Sequence, residues 1–182
     1  MLQIVVPLSN EGWDEENEVF VEPKKQTLQL EHSLISLSKW ESKWCKPFLS
    51  KGAKTDEEIL DYIKFMTISP NVNPEIYNHL TLENVRAINA YIDAPMTATT
   101  FSDDKTNRSS REIITAELIY YWMIALQVPF EPCQKWHLNR LLTLIKVCNI
   151  KNSPPKKRSK KEIMSRNAAL NAARRKQFNS KG

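Results

Sequence analysis

The sequence predicts a mainly α-helical protein: a helical bundle with a small N-terminal antiparallel β element and a basic C-terminal helix. Three observations predict it. After Ser33, apolar residues recur at spacings of three and four. Helix-start signals stand directly ahead of several of those stretches. Only three glycines, Gly12, Gly52 and Gly182, occur in 182 residues, which disfavours a fold built on many tight hairpins.

The β material is confined to residues 1–31. LQIVV, EVFVE and TLQL are short and rich in β-branched or alternating apolar residues. An acidic loop from Asn10 to Asn17 separates the first two, and Pro23-Lys24-Lys25 reads as a turn before the third. Together they predict one small antiparallel sheet.

Helices follow. Leu34, Leu37, Trp40 and Trp44 share one face of the first, which Pro47 ends. Thr55 and Glu58 form a capping box, because the hydroxyl can accept the third amide of the helix while the carboxylate reaches back. The helix so opened is expected to bury Ile59, Leu60, Ile63 and Met66. Asn73-Pro74 starts a short helix, PEIYNHL. Thr81 caps LENVRAINAYID, with Leu82, Val85, Ile88 and Ile92 as its stripe. Residues 94–108 read as a loop. Ser109-Ser110-Arg111-Glu112 reads as a second capping box, opening a helix through IITAELIYYWMIALQV that is apolar on nearly every side. Such a helix is expected at the centre of a bundle. Pro129 stops it, VPFEPC connects, and QKWHLNRLLTLIKVC forms the next helix. Ser153-Pro154-Pro155 breaks the chain. A third capping box, Ser159 to Glu162, then opens a basic helix, EIMSRNAALNAARRKQF.

The domain reading is therefore a globular body over residues 1–150 and a basic linker and helical arm over 151–182. Charge follows that division. The whole chain carries +5. Residues 151–182 hold eleven Lys and Arg against one acid, Glu162, while residues 1–150 hold 15 bases and 20 acids. A mildly acidic body bearing a cationic tail points to an interaction arm.

Composition also excludes. Neither GxGxxG nor GxxxxGK[ST] can be written, so a P-loop NTPase, a Rossmann dehydrogenase and a kinase are disfavoured. No GxSxG is present, which disfavours an α/β-hydrolase. Three distant cysteines, Cys45, Cys133 and Cys148, do not make a disulfide framework and suit a reducing compartment. No apolar run is long enough to cross a bilayer, and the N-terminus does not read as a secretory signal.

Candidate chemistry is thin. Cys133 and His137 have ligand spacing and His79 is a third candidate, but no CxxC accompanies them. Cys133 then reads as partly buried and His137 as a helix-surface residue; no metal and no cofactor is assigned. Asp56, Glu57, Glu58 and Asp61 could be paired for acid–base work, but acids in a first helical turn are explained by the helix dipole. Asp103-Asp104 reads as loop. Hence no catalytic residue is assigned. The tryptophans Trp40, Trp44, Trp122 and Trp136 fall on predicted helices and read mainly as core, with partner-facing anchors as the second reading. Trp13 lies in the N-terminal part. Lys156, Lys157, Arg158, Lys160, Lys161, Arg174, Arg175 and Lys176 form the basic arm. It reads as a phosphate-binding tail or nuclear address, as a solubilising tail, or as an arm that docks on an acidic surface such as a neighbouring subunit in a homo-oligomer.

The runs SLISLSKWESKWCKPFL (Ser33 to Leu49), EEILDYIKFMTI (Glu57 to Ile68), YIDAPMTATTF (Tyr91 to Phe101) and ITAELIYYWMIALQVPFEPCQKWHLNRLLTLIKV (Ile114 to Val147), with the basic end KKEIMSRNAALNAARRKQFNSKG, resemble the tail-assembly chaperones of long-tailed bacteriophages. The likeness is one of overall pattern over most of the chain after Ser33, and no family motif assigns functional residues. It implies a non-enzymatic protein of the host cytoplasm that coats the long, aggregation-prone tape measure protein and helps recruit the tail-tube subunit. The alternative is a nucleic-acid-binding protein acting through its basic tail, and an enzyme comes third.

Overall fold

The structure is a computed structural model, which describes residues 1–8, 12–14, 19–21, 25–101, 112–154 and 160–179. It is mostly helical with a small N-terminal antiparallel β element. It divides into two compact units, Met1–Asn149 and Ile150–Gly182.

In the first unit, strand β1 (Leu2–Pro7) pairs antiparallel with β4 (Lys25–Leu30), with Leu2 opposite Leu30 and Pro7 opposite Lys25. Side chains alternate across the ladder as the pleat requires. Ile4, Val6, Leu28 and Leu30 are buried, while Val5 is exposed. A separate ladder joins β2 (Gly12–Asp14) to β3 (Val19–Val21). The β material thus forms two two-stranded ladders where one sheet was expected, and β2 falls within the expected acidic loop. The Pro23-Lys24 turn lies outside the described residues.

Helix α1 (Leu34–Trp44) starts on Ser33, whose hydroxyl accepts the Ser36 N–H, and closes on Cys45 in the left-handed region. Helix α2 (Asp56–Met66) carries the expected capping box: the Thr55 hydroxyl accepts the Glu58 N–H and the Glu58 carboxylate accepts the Thr55 N–H. Its inward face differs from expectation. Tyr62, Ile63 and Met66 are buried, whereas Ile59 is 40% exposed and Leu60 half-buried. A 3-10 helix (Pro74–His79) begins at Asn73. Helix α3 (Leu82–Asp93), capped by Thr81, buries Ile88 and Tyr91 and leaves Leu82 exposed. Ile59 and Leu82 stand within the first turn of their helices, where the apolar stripe runs off the edge of the core.

Two departures concern the second half. Helix α4 (Ala116–Ala125) starts on Thr115, not on a Ser109 box; Glu112 to Ile114 are non-helical and 109–111 lie outside the described residues. Helix α6 (Leu138–Asn152) starts four residues later than expected, because Phe130–Cys133 forms a separate short segment, α5, kinked by extended backbone at Glu131, and Lys135 and Trp136 follow it as a turn and a bend. Cys133 is buried, and so is His137, which is no surface residue.

The unit has two apolar clusters. One joins the β1–β4 sheet, α2, the 3-10 helix and α3 around Trp40. The other joins Leu34 and Leu37 of α1 to Ala116, Ile119 and Met123 of α4 and Leu138, Leu141 and Ile145 of α6. Helix α1 serves both, since its buried positions are spaced three apart. Each fully buried aliphatic side chain contributes about 1.5–3 kcal/mol.

The second unit contains α7 (Lys160–Phe178). Every described side chain from Ile163 to Asn179 is exposed. The Ser159 capping box and Lys156, Lys157 and Arg158 lie outside the described residues.

Candidate functional site

Helix α4 is positioned at both ends. At its start, the Thr115 hydroxyl accepts the Leu118 N–H. The Glu41 carboxylate of α1, itself buried, accepts the Ala116 N–H at 2.7 Å and the Phe48 N–H at 2.8 Å. A carboxylate at this end answers both the orphan amides and the positive pole of the helix. At its finish, Val128 N–H reaches the Met123 carbonyl and Gln127 N–H the Ile124 carbonyl, with Gln127 at φ 56°. This is a Schellman closure without the usual glycine.

Held this way, α4 buries Ala116, Ile119 and Met123 and turns the opposite face outward. Tyr121 is 62% and Ile124 64% exposed. Ile113 and Ile114 are exposed just before the helix, and Phe130 just after it. Phe130 meets Tyr120 edge-on at 5.4 Å between ring centroids, and Tyr120 lies one turn from Ile124. Glu117 is the one charged residue of α4. The expectation of a central helix is therefore corrected: α4 is apolar on nearly every side but only half covered, and Glu117 stands on its exposed face with Tyr121 and Ile124.

The four candidate tryptophans divide. Trp40 is buried, and its indole N–H donates to the Glu58 carbonyl at 2.7 Å, so it belongs to the core and offers no contact surface. Trp44 is half-buried beside Trp40, with the Lys43 and Lys46 ammonium groups 5.4 and 5.9 Å from its ring centroid. Trp122 is half-buried on the flank of α4. Trp136, also half-buried, precedes α6 and carries the Arg140 guanidinium 4.2 Å above its ring. The side chain of Trp13 lies outside the described residues. In the basic arm, Arg174, Arg175 and Lys176 are exposed on the last turns of α7, and Lys160 and Lys161 stand at its start.

The densest polar chemistry is buried. His32 shares a 2.5 Å hydrogen bond with the Tyr62 hydroxyl and lies 5.1 Å, ring to ring, from His137. His137 Nε2–H donates to the Tyr91 carbonyl at 2.9 Å, and its Nδ1 accepts the Asn139 N–H at 3.3 Å. That pattern requires a neutral ring with its proton on Nε2. Tyr91 O–H donates to Glu31. Burial, aided by the neighbouring His137, pushes His32 down to about 4. Burial also lowers His137, opposed by its bond to Tyr91 and by Glu31. Asn139 Nδ2 donates to the carbonyls of Ile92 and Ala94, so the residues entering α6 cap the end of α3. These groups satisfy one another inside the protein. A general base must reach its substrate, and neither ring reaches the surface.

Of the acids at the start of α2, Asp56 and Glu57 are exposed, while Glu58 and Asp61 are engaged. Glu58 is held below the usual carboxylate range by its bond to the Lys46 ammonium, helped by the Thr55 N–H. Burial would raise Asp61, but hydrogen bonds from Lys43 and Lys64 outweigh it and lower it. Asp103 and Asp104 lie outside the described residues. Among the described residues no group of three His, Cys, Asp or Glu side chains could hold a metal ion, and no helix is long and apolar enough to cross a membrane.

Compared with protein-family models, with curated proteins and with solved structures, the chain matches none.

Proposed function

We propose that this protein is a non-enzymatic assembly chaperone that grips a helical client through the outward face of α4, and that it acts as the tail-assembly chaperones of long-tailed phages do, keeping the tape measure protein soluble for tail-tube assembly. The observation that carries the reading is the exposure of Tyr121 and Ile124 on a helix fixed at both ends. Clustered exposed apolar side chains on a soluble protein mark interaction sites. An amphipathic client helix would lay its own apolar stripe along this row. The host cytoplasm is the compartment that goes with this role, and three unpaired cysteines suit it.

Co-expression tests it. A phage tape measure polypeptide, the client this reading names, is produced with and without this chain, and its soluble fraction is measured by sedimentation. A rise in the presence of this chain supports the reading; an unchanged soluble fraction refutes it.

A further inference from the structure

The role just proposed uses the body and leaves the basic arm without a task. We infer that α7 is a DNA-binding helix that lies in the major groove of duplex DNA and holds the phosphates on both sides of it.

The charge is dense, and it is exposed at the described side chains. Residues 151–182 carry eleven bases and one acid, and Arg166, Arg174, Arg175 and Lys176 all stand exposed on one helix. Their arrangement favours a groove over a flat partner. Successive helical residues turn by about 100°, so Arg174, Arg175 and Lys176 point in three directions, and Arg166 fills much of the gap that remains. A flat acidic protein face would engage a single stripe of such a helix and leave the other cations in water. A groove about 12 Å wide, walled by phosphates on two sides, admits the whole helix and meets cations on both flanks. The short side chains of Ala168, Ala169 and Ala172 put no bulk between the backbone and the groove floor. A-form RNA has a major groove too narrow for a helix, which makes B-form DNA the partner. The arm carries no aromatic residue but Phe178, so base stacking contributes little, and its many cations hold the phosphates, contacts that position the helix on the duplex.

The test is fluorescence anisotropy of a labelled 20-base-pair DNA duplex of mixed sequence with the full chain across a salt series. Four to six phosphate contacts predict affinity falling by about 10²–10³-fold between 50 and 200 mM salt. The triple variant Arg166→Gln, Arg175→Gln, Lys176→Gln removes the three described cations nearest the groove when the alanines face its floor, keeps good helix formers and should lower the slope of log affinity against log salt by about 2.7, with unchanged circular dichroism. No binding at 50 mM salt overturns the inference, as does native-like binding by the variant. Duplex RNA binding as tightly as DNA, or polyglutamate displacing the DNA charge for charge, also overturns it, the latter in favour of an acidic protein partner.

Discussion

The Glu41 carboxylate accepts the backbone N–H of Ala116 at 2.7 Å, across 75 residues of sequence. One side chain of α1 thereby sets where α4 begins and how it is turned about its axis, and that rotation decides which apolar residues are left outside. The same carboxylate holds the Phe48 N–H, fixing the chain just beyond α1. Replacing Glu41 by Ala leaves two amides without their acceptor. Stability should fall by about 2–3 kcal/mol, and Glu41→Gln, which keeps an acceptor oxygen, should cost less. Urea unfolding followed by circular dichroism checks both; a native midpoint for Glu41→Ala contradicts the role.

The opposite end of α4 holds a correctable strain. Gln127 sits at φ 56° where glycine is at ease. The Gln127→Gly variant should therefore raise the thermal midpoint, by a gain of about 1 kcal/mol. A lowered midpoint would mean that the Gln127 side chain contributes more than its backbone costs.

The buried histidines make stability depend on pH. Both rings are held below their ordinary value when folded, so the unfolded chain binds more protons wherever the two states differ. Stability is full above the unfolded histidine value of about 6.5 and falls as pH drops toward the folded His32 value of about 4. The loss from His32 alone is about 3 kcal/mol. Glu58 and Asp61, lowered by their lysines, add a further loss as pH falls through the ordinary carboxylate range of about 4 to 4.5 and below. Chemical denaturation at pH 7, 5.5 and 4.5 should show this slope, and His32→Gln should flatten it. A flat native profile over that range refutes the assignment.

The tryptophans should separate by cost. Trp40→Ala removes a core ring and the bond to the Glu58 carbonyl, and should cost about 3–5 kcal/mol. Trp122→Ala and Trp136→Ala, at half-buried positions, should cost clearly less. Equal losses would contradict the division between core and flank.

How much of this was legible in the sequence follows from the range of each interaction. The Thr55–Glu58 box, the Asn73-Pro74 start and the Thr81 cap are local chemistry, closed within three residues, and each opens a helix as read. The start of α4 was misplaced because its decisive partner, Glu41, is remote; Thr115 was the local signal available. The pairing of His32 with His137 is remote in the same way and left no periodic trace. The apolar continuity of α4 was visible, but an enclosed helix and a half-exposed one have the same sequence pattern. Only the placement of α1 and α6 on one side separates them. Ile59 and Leu82 show the converse: an apolar stripe gives a direction, not the point at which the core ends.

The most direct test of the account is the soluble fraction of the co-expressed tape measure polypeptide with the native chain and with the double variant Tyr121→Glu, Ile124→Glu. Both side chains are largely exposed, so the variant should keep its circular dichroism and thermal midpoint. The account predicts that the native chain raises the soluble fraction and that the folded variant does not. Equal solubilisation by the two would contradict it.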